Sequence, residues 1–414
     1  MGKDKVTRLA RRRAKKEALK LLQSPDFFTE VLQTLKKAGL VGEQLNALVL
    51  FIVVVSRILD HPLNAFVKGA SSSGKNFLVR LILSLMPRRA VKEITSASEQ
   101  AWNYSGSDFR HCVVYLQEQN EAAGTIDPIR QLISEGKLVR LVPKYEHGKL
   151  VTKRHVTYGP VAAISTTTKD RLKKDDETRH ISLKVDESKG QTRQIVKSYT
   201  KQREPLTHKE LRTWYAVHRL LEQRIGTEIV FPKWFDEIAD RLFVDDLSVR
   251  RYYPAFIEAC RTVSLIRSFQ PGRKPANHNE FVVDFADFAI TALIFDSVFV
   301  ESLYLDKKAG EATRRVVEEI TTKEKRAADA KDVARKLKIS RDAAYNKLRY
   351  AEKAGAVRRA NKPEKSNHKL FLPAHRPRFV PDPEKLFRKL KGLGDKVRFI
   401  HPLTGESVTY RRKK

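Results

Sequence analysis

The sequence predicts an α/β fold in which helices cover a parallel β-sheet, followed by a helical region and a small helix–turn–helix unit. Short apolar runs alternate with helical stretches between residues 64 and 187, a pattern typical of a parallel sheet. A loop of glycines and serines, residues 69–75, stands between an apolar strand and an amphipathic helix. Residues 329–372 hold two short helical patterns and then two strand-like runs. Together these observations predict an α/β core joined to a smaller C-terminal unit.

The charge balance points to a polyanionic partner. The 414 residues include 81 Lys and Arg against 49 Asp and Glu, a formal net charge of +32. Such an excess repels itself in a compact fold, and nucleic acid is the polyanion that most simply explains it. The alternative is a basic soluble protein without such a partner. The two cysteines, Cys112 and Cys260, exclude a disulfide scaffold and a four-cysteine zinc site.

No segment of the sequence suggests a membrane. The longest apolar stretch, Ala47–Val55, is too short to span a bilayer, and the N-terminal run is charged. The sequence therefore predicts a soluble, cytoplasmic protein.

The pattern of composition predicts five segments. They are a basic N-terminal arm at 1–24, an α/β core at 25–204, a mostly helical region at 205–305, a small basic unit at 311–373 and a basic tail at 374–414. The arm is either a nucleic-acid contact or a solvated helix. Helices are expected at 31–38 and 43–59, strands at Ala65–Val67, Val113–Leu116 and Val161–Ser165, and a hairpin turn near Leu403.

The loop at residues 69–75 has the spacing of a phosphate-binding loop. Two glycines allow a tight turn, and the amides that follow can point at phosphate oxygens near a helix N-terminus. Lys75 would neutralise the β- and γ-phosphates of ATP. The next residue is usually Ser or Thr, whose hydroxyl ligates Mg²⁺, but here it is Asn76. The candidate nucleotide-binding residues are Gly69, Ser71, Ser72, Ser73, Gly74, Lys75 and Asn76.

A second nucleotide motif is expected at the end of the strand near residue 116. Glu118 follows this apolar strand and is the candidate base that orients the attacking water. The acid that normally precedes such a base is replaced by Gln117. Asn76, Gln117 and Glu118 are the candidate Mg²⁺ ligands, so ATP and Mg²⁺ are the expected cofactors. An exposed strand end with ordinary acids is the alternative.

A β-hairpin is expected between residues 138 and 157, because two strand-like runs flank a glycine-containing tip. Its basic residues Lys149, Lys153 and Arg154 either contact nucleic acid or solvate an exposed edge. The next strand ends near Thr167, a candidate for contacting the γ-phosphate or the attacking water. Arg179 is either an arginine finger for a neighbouring subunit or part of a surface ion pair.

The order of these parts resembles the AAA+ ATPases, in particular the clade with a hairpin before the first sensor strand. That clade includes superfamily 3 and MCM helicases, and the likeness is closest to MCM-like helicases and helicase–primases of phages and mobile elements. It covers roughly residues 25–300. The similar strings are Leu40-Val41-Gly42-Glu43, Lys68-Gly69-Ala70-Ser71-Ser72-Ser73-Gly74-Lys75, Leu132-Ile133-Ser134-Glu135-Gly136-Lys137 and Glu177-Thr178-Arg179.

This resemblance implies an AAA+ core with a helical lid at 205–305, and a hexameric ring that threads single-stranded DNA past hairpins in its pore. It also implies that residues 248–259 form the lid helix carrying a second sensor. Arg250 or Arg251 would then touch a phosphate; a basic surface face is the alternative.

Residues 311–373 are expected to form a winged helix. Asp329 can cap one helix and Ser340 a second, and Gly355 ends the second helix. The exposed face of that second helix suits the major groove of duplex DNA, and the basic wing suits phosphates. Protein contact is the alternative. The candidate DNA-binding residues are Arg341, Tyr345, Asn346, Arg349, Lys362 and Lys365.

Three functions remain open from the sequence. The first is an ATP-dependent DNA helicase or translocase, and the second is an ATP-switched initiator or helicase loader. The third is a DNA-binding regulator with a degenerate phosphate loop. Histidines and cysteines lack zinc-ligand spacing, and a primase site is not evident.

Overall fold

The computed structural model describes residues 2–94, 108–117, 126–147, 149–170, 172, 174–200, 205–242, 248–277, 279–304, 308–353, 357–360, 369–373 and 378–412. The chain divides into two compact units. The core unit is Met1–Val298 with Val380–Lys414, and the small unit is Phe299–Phe379.

The described strands are, in chain order, β1 Ala65–Lys68, β2 Val91–Ile94, β3 Cys112–Leu116, β4 Lys137–Glu146, β5 Lys149–Tyr158, β6 Val161–Thr167, β7 Ile181–Lys184, β8 Glu228–Val230, β9 Glu280–Val282, β10 Val357–Arg359, β11 Phe371–Pro373, β12 Lys396–Ile400 and β13 Ser407–Arg411.

The described α-helices are α1 Gly2–Gln23, α2 Phe27–Lys37, α3 Gln44–Ser56, α4 Lys75–Ser84, α5 Ile126–Glu135, α6 Lys174–Glu177, α7 Lys189–Tyr199, α8 His208–Glu222, α9 Asp236–Ala239, α10 Val249–Arg267, α11 Phe285–Tyr304, α12 Lys308–Glu324, α13 Ala330–Leu337, α14 Arg341–Lys353 and α15 Pro383–Lys389.

A parallel five-stranded sheet organises the core unit. Its strand order is β2-β3-β6-β1-β7, and every neighbouring pair runs parallel. The three central strands are buried along their whole length, which explains why their sequences are continuous apolar runs. The predicted α/β fold class is confirmed, and all three strands expected from the sequence are present. The outer strands β2 and β7 were not among them, because each is short and has polar residues within it instead of a continuous apolar run.

The helix α1 docks on the core unit instead of extending from it as an arm. Ala18 and Leu22 are fully buried, and α1 packs along α8. These two buried residues mark the stripe of this mostly basic helix that meets the fold.

Residues 205–305 are less uniformly helical than expected, because β8 and β9 pair in parallel between the helices. Ile229 and Phe281 lie opposite each other in this ladder and are both buried. Each strand has three residues, so the flanking helical patterns hide it in the sequence.

The expected basic tail is corrected by the structure. Residues 380–414 belong to the core unit and include α15 and the antiparallel hairpin of β12 and β13. Val380, Leu386, Phe387 and Leu390 are buried, and the ring of Phe387 lies 5.1 Å from that of Phe285. These four apolar side chains are spread over eleven residues among charged ones, so the sequence of this segment does not show that it packs on the core unit. The hairpin expected near Leu403 is present.

In the small unit, three helices and a two-stranded antiparallel ladder share one apolar cluster. Val333, Ala344, Leu348 and Phe371 are among its fully buried members. Asp329 and Asp332 form a reciprocal capping box that begins α13. The strands β10 and β11 follow α14 closely, as the sequence predicts.

None of the described helices combines the length and apolar character that a membrane crossing requires.

Candidate functional site

The loop between β1 and α4 has the backbone shape of a phosphate-binding loop. Ser72 and Gly74 take positive φ angles of 65° and 89°, so the chain turns sharply into the first turn of α4. A non-glycine residue such as Ser72 rarely occupies this region, and strain of this kind is concentrated at functional sites. The turn directs the loop amides and the N-terminus of α4 toward the same space.

Gly69 is required by the space around it. A Cβ atom placed there would lie 2.5 Å from Val185 Cγ2 and 2.7 Å from Ser73 Oγ. Val185 follows β7, so the loop is packed directly against the neighbouring strand. The side chains packed against this position, not a positive φ, are therefore the reason for glycine here.

Lys75 is buried at the base of the loop and folds back on it. Its Nζ donates to the carbonyl oxygens of Gly69, at 2.8 Å, and Ala70, at 2.6 Å. The hydroxyl of Ser73 is buried without a hydrogen-bond partner among the described residues. An orphaned hydroxyl and a buried ammonium group in one loop fit an anionic ligand, because both donate hydrogen bonds.

Asn76 is held by a tyrosine from the neighbouring part of the sheet. Tyr115 lies on the fully buried strand β3, and its hydroxyl donates to Asn76 Oδ1 at 3.2 Å. This bond fixes the side chain at the position where a metal ligand is expected. Tyr115 was not among the residues expected from the sequence, although a tyrosine inside a buried strand indicates that its hydroxyl has a partner.

Gln117 lies at the carboxyl end of β3, and its side chain is hydrogen-bonded to the neighbouring strand β2. Its Nε2 donates to Glu93 Oε1 at 2.8 Å, and Arg80 contacts the same carboxylate at 3.2 Å. The side-chain oxygen of Asn76 is thus bonded to Tyr115 of β3, whereas the side-chain nitrogen of Gln117 is bonded to Glu93 of β2. Glu118, the expected base, lies outside the described residues.

Thr167 sits beside the phosphate loop. Its carbonyl oxygen accepts a hydrogen bond from the amide of Gly69 at 3.3 Å, and its hydroxyl accepts one from the amide of Lys169 at 3.1 Å. Lys68, the last residue of β1, pairs in register with Thr167. The structure thus brings a candidate sensor residue to the start of the loop, as parallel strands require of their carboxyl ends.

A short segment that carries Arg179 lies across one face of β1. Phe66 stacks on His180 with ring centroids 3.9 Å apart, and the buried Lys68 forms an ion pair with Glu177. Because Lys68 immediately precedes Gly69, this ion pair joins the phosphate loop to the segment with the candidate arginine finger. Lys68 was not among the residues expected to act at the site. A lysine at the end of a buried strand nevertheless indicates a paired charge, because lysine is rarely buried without a partner.

The candidate arginines are anchored on the same segment. Arg179 donates through Nη1 to the hydroxyl of Ser134 on α5, and Arg251 donates to the hydroxyl of Thr178. Arg251 thus contacts the residue that precedes Arg179 and meets this segment within its own subunit. Arg250 is exposed at the start of α10.

An acidic side chain already occupies one amide of the phosphate loop. Glu187 is exposed, and its Oε1 accepts a hydrogen bond from the amide of Ala70 at 2.5 Å. A carboxylate on a loop amide is a local mimic of a phosphate oxygen. Glu187 could not be expected from the sequence, because this residue follows β7 and lies far from the phosphate loop along the chain.

The hairpin of β4 and β5 is anchored at its base and exposed toward its tip. Leu138 is buried with Leu132 of α5 in one cluster, and Gly159 donates to the carbonyl oxygen of Gly136 at 2.7 Å. Farther out, 69% of Leu141 and 74% of Tyr145 are exposed. Large apolar side chains that are exposed in this way are typical of an interaction surface.

The candidate basic residues lie on the second strand of this hairpin. Lys149 and Arg154 are exposed, whereas Lys153 is partly covered. In the ladder, Lys153 is opposite Val142 and Arg154 is opposite Leu141, so neighbouring basic residues point to opposite faces. Both faces of the hairpin therefore carry positive charge.

On α14 of the small unit, the side chains of Arg341, Asn346 and Arg349 are exposed. Tyr345 accepts a hydrogen bond from Lys369 Nζ at 2.6 Å, and that ammonium also lies 5.1 Å from the centre of its ring. Lys369 was not expected from the sequence. The wing candidates Lys362 and Lys365 lie outside the described residues.

Two buried histidines predict a marked pH dependence of stability. Burial, helped by nearby arginines, lowers the pKa of His180 to about 4 and that of His218 to about 3. Their unfolded pKa is about 6.5, so the unfolded chain binds protons between pH 6.5 and 4 that the folded protein excludes. Stability is therefore complete above pH 6.5 and decreases as the pH falls below it. We expect each histidine to cost about 2 kcal/mol by pH 5.

Urea denaturation of the parent protein and a His218→Phe variant, compared at pH 7.5 and pH 5, measures this effect. The phenylalanine retains the packing against Phe51, whose ring is 6.0 Å from that of His218. The variant should lose about 2 kcal/mol less than the parent between the two pH values. Equal losses of stability in the parent and the variant would contradict the conclusion that burial lowers the pKa of His218.

Among the described residues, no group of three or more His, Cys, Asp or Glu side chains is arranged to hold a metal ion. Of the candidate Mg²⁺ ligands, Asn76 and Gln117 are described and Glu118 is not.

A protein-family model, the MTBMA_p00010 P-loop domain, matches residues 11–213, slightly under half of the 414 residues. No curated protein matches the chain in sequence.

Several solved structures are distantly similar. A full-length MCM homolog from Methanopyrus kandleri is 11% identical with a TM-score of 0.43, and the match covers 70% of this chain and 62% of that one. The Aeropyrum pernix ORC1 protein, solved in complex with DNA, is 12% identical with a TM-score of 0.28 over 86% and 93% of the two chains. The active helicase Cch of SCCmec type IV is 13% identical with a TM-score of 0.30 over 80% and 67%.

The matched family and the sheet agree on the fold. The parallel sheet places a glycine-flanked, lysine-containing loop between β1 and α4, and the family model spans that loop. The core unit is therefore an α/β P-loop core, with the loop placed between a buried strand of the parallel sheet and the helix that follows it.

Proposed function

We propose that this protein is an ATP-driven DNA helicase or translocase that works as a homo-hexamer. The observation that carries the proposal is the combination, in one unit, of a phosphate loop and an exposed basic hairpin. The hairpin leads directly into β6, the strand that ends at Thr167 beside the loop. A displacement of the hairpin can therefore be transmitted to the loop through a single strand.

In this proposal Lys75 and the loop amides hold the phosphates of ATP, and Asn76 holds Mg²⁺. The bound ion would supply charge neutralisation for the phosphates. Glu118 orients the attacking water, Thr167 contacts it, and Arg179 and Arg251 respond to the nucleotide of the same or a neighbouring subunit. The ion pair of Lys68 with Glu177 ties the loop to the segment that bears Arg179.

Nucleic acid would bind at two places, the hairpin of β4 and β5 and the small unit. Lys149, Lys153 and Arg154 of the hairpin contact a single strand inside the ring. The small unit is a winged helix in this proposal, with Arg341, Tyr345, Asn346 and Arg349 on duplex DNA. Lys369 supports this use of Tyr345, because it adds a positive charge beside the exposed face of α14.

An ATP-switched initiator or helicase loader is the second candidate. Gln117 is bonded to Glu93 on β2, and Glu187 occupies the amide of Ala70. Both contacts favour a slow nucleotide site that changes state on ATP binding. A DNA-binding regulator with a degenerate loop is the third candidate, since Asn76 replaces the usual hydroxyl.

Steady-state ATP hydrolysis with and without single-stranded DNA distinguishes the candidates. We expect DNA to stimulate hydrolysis and Glu118→Gln to reduce it by about 100-fold or more, because the attacking water loses its base. The exposed Glu237→Gln variant, which removes an acid on α9, serves as the control and should retain full activity.

Displacement of a strand from a forked duplex completes the test. Displacement that requires ATP supports the helicase. DNA-stimulated hydrolysis without displacement favours the initiator or loader, and the absence of hydrolysis in the parent protein would overturn both.

A further inference from the structure

We propose that the exposed face of α1 is an additional contact surface for the phosphate backbone of duplex DNA. The proposal relies on the proposed function only in taking DNA as the polyanion. It does not require ATP hydrolysis, the hairpin or the small unit.

The charge on this helix is concentrated and of one sign. Seven basic side chains lie between residues 8 and 20, and Glu17 is the sole acid in that interval. Glu17 lies 3.5 Å from Lys20, so it offsets one end of the cluster only. The basic residues are Arg8, Arg11, Arg12, Arg13, Lys15, Lys16 and Lys20, and all seven are exposed.

The orientation of the helix is set by its other face. Ala18 and Leu22 are fully buried where α1 packs along α8. Because the helix is fixed there, the opposite face projects from the core unit in a defined direction. A docked helix presents its charges without the ordering cost that a disordered arm would have on binding.

Four of the basic residues form a ladder at four-residue spacing, namely Arg8, Arg12, Lys16 and Lys20. Successive members of such a ladder are about 6 Å apart along the helix axis. The ladder therefore extends about 18 Å along the helix axis and winds about 120° around it. Duplex DNA carries one negative charge per about 1.7 Å of its axis, about twice the linear density of one of its strands. A rigid positive row matches a rigid, densely charged rod better than a flexible single strand.

The arrangement is unfavourable without a partner. Like charges four residues apart destabilise a helix by about 0.2–0.5 kcal/mol per pair. An ordinary solvated helix alternates its charges, which would remove this repulsion. A polyanion that neutralises the row converts the repulsion into binding free energy.

A membrane surface fits this helix poorly. A helix that lies in a bilayer interface needs a broad uncovered apolar face. In the described part of α1, the exposed large apolar side chains are Leu9 and Leu19, at 48% and 37% exposure, and both lie among the charges. The remaining apolar stripe is used against the core unit.

The test is binding of a 20-base-pair duplex to the full chain without ATP, measured by fluorescence anisotropy across a salt series. The test variant carries Arg8→Gln, Arg12→Gln, Lys16→Gln and Lys20→Gln. The control variant carries four exposed, scattered replacements of equal charge, Lys189→Gln, Lys233→Gln, Lys274→Gln and Lys391→Gln. Thermal melting of each protein verifies the fold.

We expect the salt dependence of the test variant, as log K against log salt, to become shallower by about three to four units. Its duplex affinity at 0.1 M salt should fall by about 100-fold, with a smaller loss for a single strand of equal length. The control should change less than threefold in affinity. An equal loss in the control, an unchanged salt slope, or a larger loss for the single strand would overturn the proposal.

Discussion

Replacement of Gly69 by alanine is expected to weaken ATP binding by at least tenfold. The new Cβ would lie 2.5 Å from Val185 Cγ2, 2.7 Å from Ser73 Oγ and 3.0 Å from Glu187 Oε1. Val185 is 3% exposed and branched at Cβ, so it has little room to withdraw. The loop must shift instead, and overpacking of this kind costs about 1–3 kcal/mol. That shift moves the amides and Lys75 away from the positions that phosphate requires.

The measurement is titration with a fluorescent ATP analogue. The matched control is Gly190→Ala, where a new Cβ would meet Ser188 Oγ at 3.6 Å, an ordinary contact. Gly190 lies on α7, so alanine is also favoured there by helix propensity. Unchanged nucleotide affinity in Gly69→Ala would show that the loop does not bind through its backbone, and the proposed function would lose its basis.

Replacement of Glu222 by glutamine is expected to lower the free energy of unfolding by about 3–5 kcal/mol. Glu222 lies at the end of α8 and binds Arg57 at 2.8 Å, and Arg57 has only 2% of its side chain exposed. Burial already lowers the pKa of the Arg57 guanidinium, and Glu222 is the main charge that opposes this effect. Without it, the arginine keeps the hydrogen bond to the carbonyl oxygen of His111 at 2.6 Å but remains a buried charge.

Differential scanning calorimetry at pH 7.5 measures the loss. For a unit of this size we expect the melting temperature to fall by about 4–7 °C. Glu237→Gln removes an acid whose ion pair with Arg241 at 3.1 Å is exposed on both sides, and it should change stability by less than about 0.5 kcal/mol. Equal effects of the two substitutions would show that burial of Arg57 does not determine the energetics of its ion pair.

The fold class was accessible from the sequence because the buried strands are continuous apolar runs. The three inner strands, the hairpin and the helix after Gly74 were located within a few residues of their observed bounds. The edge strands and the β8–β9 ladder were not located, because these short runs contain polar residues and show no clear hydrophobic pattern. Several partners in the site were also missed. Tyr115, Glu187 and Lys68 are ordinary residues in sequence and become informative only through what they touch.

The sequence by itself determined the phosphate loop, the strand–loop–helix order around it and the excess of positive charge. These depend on local spacing and composition, which a linear chain displays directly. The tertiary structure alone decided that Tyr115 holds Asn76, that Glu187 lies on the loop and that α1 docks with one face exposed. Each of these contacts joins segments far apart in the chain, and only the packing of helices on the parallel sheet brings them within hydrogen-bonding distance.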